Sequence, residues 1–99
     1  MSTEPALFRH KPNVVAAMQA PIRGENEAEK DFEERLRAVA KWVVNNEGEA
    51  NIDRTHIRVT TFYAPAGDFV EPGGWIVQSN DGTWKVLSDT DFNADYSRI

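Results

Sequence analysis

Apolar residues in the first half of the chain recur at the spacing of a helix. Phe32, Leu36, Val39 and Val43 follow one another at intervals of four, three and four, with Ala28 and Ala40 widening the stripe. Three to four residues make one turn, so this stripe predicts an amphipathic helix from Glu27 to Asn45. Asn26 reads as its N-cap, and Asn45-Asn46-Glu47-Gly48 as its end, since Asn and Gly accept a left-handed cap. Glu33, Glu34, Arg35, Arg37 and Lys41 fill the polar side, with Glu33 and Arg37 placed as a favourable pair. Trp42 falls at the edge of the stripe.

From Val70 to Tyr96 the period changes. Pro72-Gly73-Gly74 is a reversal signal, because proline presets φ for a turn and glycine accepts positive φ. Trp75–Gln78 and Trp84–Leu87 are short strands rich in aromatic and β-branched side chains. Asp81-Gly82 between them predicts a hairpin, with Gly82 at a bulge if the loop exceeds two residues. Trp75 and Val77 share one face of the first strand, and Trp84 and Val86 one face of the second. These four are expected to meet on the core side. Ile76 and Leu87 fall on the other side, so their burial would require a second cover. Ser88 followed by Asp91 is a capping pattern, opening a short helix that places Phe92 and Tyr96 on one face.

Elsewhere the signals are shorter. Residues 1–10 are polar with one proline and are expected to form a flexible arm, leaving 11–99 as a single domain. Asn13 to Ala20, bounded by Lys11-Pro12 and Pro21, reads as a strand too short for a stable helix. Glu49 to Thr55 reads as a polar link. His56 to Tyr63 alternates, with Ile57, Val59 and Thr61 facing one way and His56, Arg58, Thr60 and Phe62 the other. The sum is an α+β fold: a small, mostly antiparallel sheet of three to five strands, one long helix across a face, and a short C-terminal helix.

Composition narrows the function. Ninety-nine residues with 40% apolar content fit one small core, concentrated in three tryptophans and five phenylalanines. There is no cysteine, hence no disulfide, thiolate metal site or cysteine nucleophile. A net charge of −5 argues against a nucleic-acid binder, which needs a basic face. No segment has the length of a membrane span, and no apolar leader opens the chain. The expected setting is cytoplasmic.

No catalytic constellation is legible. His10 and His56 are far apart, and no nucleophile-elbow pattern frames a serine. Asp89, Asp91 and Asp95 lack the glycine and distal glutamate of a calcium loop, and Gly73-Gly74 lacks the lysine of a phosphate loop. The expectation is therefore a protein without catalytic residues, metal or cofactor. Trp42, Trp75 and Trp84 are candidate interface anchors, although tryptophans in a small domain are core residues first. Arg58 joins them as a candidate binding residue. A nucleotide-like ligand would need Arg54, Arg58 or Lys85 to converge. The acids Glu25, Glu27, Glu29 and Asp31 complement a helix dipole and equally fit a basic partner.

The run Glu71-Pro72-Gly73-Gly74-Trp75-Ile76-Val77, with Asp91-Phe92 and Tyr96 beyond it, resembles a widespread family of small phage and prophage proteins of uncharacterised function. The resemblance rests on Pro72, Gly73, Trp75, Ile76 and Val77, and on the Asp-x-Phe-x-x-x-Tyr segment near the end. It covers about the last third of the chain. Lys11-Pro12, Val14-Val15 and Gln19 are similar to that family's first strand, but Ala20 stands where it has Trp, and Gly74 where it has Asp. It implies a small accessory protein in the host cytoplasm, and carries over no functional residue. With the acidity and size, it points to binding of a host protein by a monomer or small homo-oligomer. A homo-oligomeric structural module joined at a sheet edge is the other reading.

Overall fold

The computed structural model describes residues 5–10 and 13–98, apart from the side chains of residues 9, 10, 13, 14, 97 and 98. The fold is α+β. Strands β1 (Ala6–His10) and β2 (Asn13–Gln19) precede helix α1 (Glu29–Asn45). Strands β3 (Ala50–Asp53), β4 (His56–Val59), β5 (Asp68–Val70), β6 (Trp75–Gln78) and β7 (Trp84–Leu87) follow. Helix α2 (Asp89–Asp95) and the two-residue β8 (Ser97–Arg98) complete the order. Two sheets form rather than one: a five-stranded sheet in the order β7-β6-β2-β1-β8 and a three-stranded sheet in the order β3-β4-β5. Every neighbouring pair is antiparallel.

The helical stripe does what its spacing predicts. Phe32, Leu36, Val39, Ala40 and Val43 are buried. All but Ala40 join Met18 and Ile76 of the larger sheet and Ile57, Val59 and Val70 of the smaller one in a common core. The expected alternation holds in burial, with Ile57, Val59 and Thr61 buried, but the strand is shorter than expected and ends at Val59 instead of Tyr63. Helix α1 therefore seals one face of both sheets. A second core lies on the opposite face of the larger sheet, where Phe8, Val15, Ala17 and Val77 meet Phe92 and Tyr96.

That second core corrects two expectations. The residues expected as an arm contribute β1 from Ala6 to His10, and Phe8 is buried edge-on against both Trp75 (5.3 Å) and Phe92 (4.8 Å). Residues 1–4 and the expected boundary at Lys11-Pro12 lie outside the described residues. The four hairpin residues expected on one face are also divided between two. Gln78 pairs with Trp84 and Ile76 with Val86, while Trp75 pairs with Leu87. Directly paired residues share a face, so Trp84 and Val86 look toward α1 while Trp75 and Val77 look toward α2. The loop sets this. Ser79 N–H donates to the Thr83 carbonyl and Gly82 N–H to the Ser79 carbonyl, with Gly82 at φ 87°. Three residues are thus enclosed, with Gly82 as the bulge, and one residue of register turns a whole strand over.

The punctuation is mixed. Gly74 N–H donates to the Glu71 carbonyl at 2.8 Å and Gly73 has φ 82°, the expected Pro-Gly turn. Ser88 caps α2 by accepting from Asp91 N–H at 3.1 Å. Asn26, in contrast, does not cap α1: Ala28 holds that position without a side-chain bond. Glu27 closes the preceding loop instead, accepting from Gly24 N–H at 2.9 Å and from Arg35 Nε at 2.8 Å. The left-handed residue after α1 is Glu47, at φ 69°, rather than an Asn or Gly. Gly48 serves close approach: a Cβ there would stand 2.6 Å from Val43 Cγ1 and 2.7 Å from the Trp84 ring. Finally, the expected link at residues 49–55 contains β3, with Ala50 and Ile52 packed on the core.

Candidate functional site

The strand β4 ends in a tight turn that displays two aromatic rings. Thr61 and Ala64 exchange backbone hydrogen bonds in both directions, each at 3.3 Å, and the Thr61 hydroxyl accepts from Ala64 N–H at 3.0 Å. Phe62 and Tyr63 occupy the two positions between them. Neither has a neighbouring layer to enter, so Phe62 is 77% exposed and Tyr63 83% exposed. Their rings meet edge-on at 5.2 Å. The buried Thr61 anchors the turn from below.

Beside this turn runs the β6–β7 loop, and between the two lies an open hollow of about 400 Å³. Phe62 and Tyr63 form one wall, and Asp81, Thr83, Trp84 and Lys85 belong to the other. Asp81 accepts from the Thr83 hydroxyl at 2.7 Å and from Thr83 N–H at 3.0 Å. These bonds, with a smaller contribution from the Lys85 ammonium, hold its carboxyl below the usual carboxylate range. The site thus carries an anion held by Thr83, a cation and two exposed rings.

Of the four sequence candidates the structure brings together two, Trp42 and Trp84, and leaves Trp75 and Arg58 apart. Trp84 is buried and meets the half-buried Trp42 edge-on at 5.3 Å, where α1 crosses β7. Trp75 is on the far side of the sheet, stacked on Phe92 at 4.0 Å and donating to Asp89 Oδ1 at 2.9 Å. Arg58 lies on the outer face of the three-stranded sheet, 4.5 Å above the Phe69 ring and 3.4 Å from Asp53 Oδ2. A second hollow on that face, about 470 Å³, is lined by Asp53, Arg54, His56, Phe69 and Glu71. The three cations line separate hollows, Lys85 the first, Arg54 the second and Arg58 a third of about 150 Å³.

Asp89 is a structural acid. It accepts from Trp75, from Asn93 Nδ2 at 2.9 Å and from Gln19 Nε2 at 3.4 Å, which fastens α2 to the sheet. Among the described residues no three His, Cys, Asp or Glu lie close enough to hold a metal ion. No helix among them is long and apolar enough to cross a membrane. The side chain of His10 lies outside the described residues.

Sequence reasoning missed Phe62 and Tyr63 as a pair. The signal was adjacency: neighbouring strand residues point to opposite faces, so at most one of two consecutive aromatics reaches a one-sided core. Ala64-Pro65 directly after them marks the loop. Compared with known protein families, with curated proteins and with solved structures, the chain matches none.

Proposed function

We propose that this chain is a non-catalytic binding protein that engages another protein through the aromatic turn Phe62-Tyr63. The carrying observation is that both rings stand in water on a turn closed by two backbone bonds and a buried hydroxyl. Single exposed apolar residues are common on protein surfaces, but an adjacent pair on one closed turn beside a hollow is not scattered. Magnitudes favour the pair. An aromatic side chain buries roughly 150–250 Å², or about 4–6 kcal/mol at 25 cal/mol per Å². Association costs about 4–15 kcal/mol in lost freedom, a range that one ring only enters and two rings offset further.

The partner proposed is a host-cell protein, and the chain a small phage-type accessory protein acting in the host cytoplasm. The resemblance in the Pro72–Val77 and Asp91–Tyr96 segments supports that setting. The test is capture from a host lysate by the wild-type chain and by the Phe62→Ser, Tyr63→Ser double variant, both verified as folded by circular dichroism. A protein retained near stoichiometry by the first and released by the second is the expected result. Identical captures overturn the proposal.

A further inference from the structure

The two sheets end side by side. Strands β5 and β7 are each the last strand of their sheet, and residues of both line one hollow of about 220 Å³. No backbone hydrogen bond joins them among the described residues. The ladders fix where their main chains point. Ser79 N–H donates to the Thr83 carbonyl, and antiparallel pairs alternate from there. Lys85 and Leu87 therefore bond to β6, while Trp84 and Val86 turn N–H and C=O away from it. Thr60 N–H donates to the Glu49 carbonyl, so Arg58 bonds to β3, and Ile57 and Val59 bond to β5. Phe69, opposite Arg58, thus turns its own main chain away from β4.

Two open edges meet at this seam, each a row of unpaired donors and acceptors. One end of the seam is closed: a Cβ on Gly74 would stand 3.2 Å from the Leu87 carbonyl oxygen and 3.3 Å from Val70 Cγ1. From there β7 runs back to the hollow at Phe62 and Tyr63, which Trp84 and Lys85 also line. Parting β5 from β7 breaks no backbone bond. Charge restricts what can enter, since the hollow between them is lined by the carboxylates of Asp68 and Glu71 and by no cation. We infer that the seam takes up an extended, basic segment of a partner as an added strand on β7. Its main chain bonds to Trp84 and Val86, and a Lys or Arg is directed to Asp68 and Glu71. Strand addition draws affinity from main-chain groups and specificity from the side chains beside them. This deepens the aromatic-turn reading and rests on it for the partner, because β7 begins at that turn.

Amide NMR with defined peptides tests this without the natural partner. In the free protein the amides of Phe69, Trp84 and Val86 should exchange with solvent about tenfold or more faster than those of Lys85 and Leu87. The probe is a blocked peptide of alternating Val and Lys. It should bind with a Kd of about 1 mM or tighter, shifting the Trp84 and Val86 amides and slowing their exchange. The same peptide with Glu for Lys should bind about tenfold more weakly or not at all. Methylating the probe's main-chain nitrogens keeps its charge, removes its donors and should abolish binding. Val86→Pro should do the same, since it removes an outward donor and none from the β6 ladder. The methylated probe needs only the wild type and decides the question if Val86→Pro does not fold. Trp84 and Val86 amides as slow as their neighbours, or a methylated probe that binds as well as its parent, overturn the inference. So does a lysine probe that leaves both amides unmoved at about 1 mM. Lysate capture separates the two claims. A protein lost with Phe62→Ser, Tyr63→Ser but retained by folded Val86→Pro removes the added strand alone. A chain that binds the probe at this edge and captures nothing removes the host partner alone.

Discussion

Trp75 lies flat on Phe92, with ring centroids 4.0 Å apart and planes 7° from parallel. Phe92 continues the stack onto Tyr96 at 4.7 Å, so α2 is fastened to the sheet by three parallel or nearly parallel rings. Removing the middle ring opens a cavity in the second core while leaving the first untouched. Phe92→Ala is expected to cost about 3–5 kcal/mol, a large share of the 5–15 kcal/mol margin of a typical domain. Urea unfolding measures the loss. In a background with Trp75 as the sole tryptophan, its emission should shift to the red. In a background with Trp84 alone, the emission should stay in place, because Trp84 is on the opposite face. Equal shifts in both would mean the two cores are not separate.

Local signals carried the helix and the turns into view; long-range pairing stayed hidden. The stripe from Phe32 to Val43, the Glu71–Gly74 turn and the Ser88 cap each depend on residues within a few positions, and each is where the pattern puts it. Strand β1 depends on pairing with β2 and on Phe8 reaching Trp75 and Phe92, contacts that no local window contains. The tryptophan faces turned on a single residue of loop length: Asp81-Gly82 as a two-residue turn places Trp75 and Trp84 together, and the bulged loop places them apart. The candidate site misled for a related reason. The size that makes tryptophan a good anchor also makes it a good core residue, and Trp84 and Trp75 serve the two cores. The exposed pair stood at the end of a strand already assigned, where its second member no longer belongs to the alternation.

Gly48 sits where the end of α1 meets β7. A Cβ there faces Val43 and Trp84, both buried, so the neighbour that has to give is not the free end of a flexible side chain. Gly48→Ala is expected to destabilise by about 1–3 kcal/mol through overpacking. Thermal unfolding followed by circular dichroism checks the sign. A stabilised variant would show that the site relaxes freely.

Ser88→Ala tests the cap of α2. The hydroxyl satisfies Asp91 N–H, and without it that donor turns to water at an exposed helix end. The expected loss is about 1 kcal/mol, within the usual 0.5–2. Ser88→Asp should retain most of the stability, since a carboxylate caps equally well and suits the positive end of the dipole. Denaturant midpoints for the three proteins, at unchanged slope, decide the order.

Glu27 holds the loop before α1 through Arg35, whose guanidinium also donates to the Ile22 carbonyl at 2.8 Å. The Arg35 side-chain bond, followed by the Gly24 N–H bond, lowers the Glu27 pKa below its ordinary value. A carboxyl whose pKa is lower in the folded chain binds fewer protons there than when unfolded. Its contribution to stability is therefore complete above the unfolded value, near 4.3, and is lost as pH falls through the lower folded value. Glu27→Gln removes that dependence while keeping the side chain's shape. The wild type is expected to exceed the variant in stability at pH 7, and the gap should narrow on acidification from about pH 5 downward. Added salt should narrow it less than for the exposed Glu33–Arg37 pair, whose closest approach is 3.7 Å. Unfolding midpoints of both proteins from pH 7 to pH 3 give the difference directly. A gap that stays constant across that range would mean that Glu27 contributes by packing and not by charge.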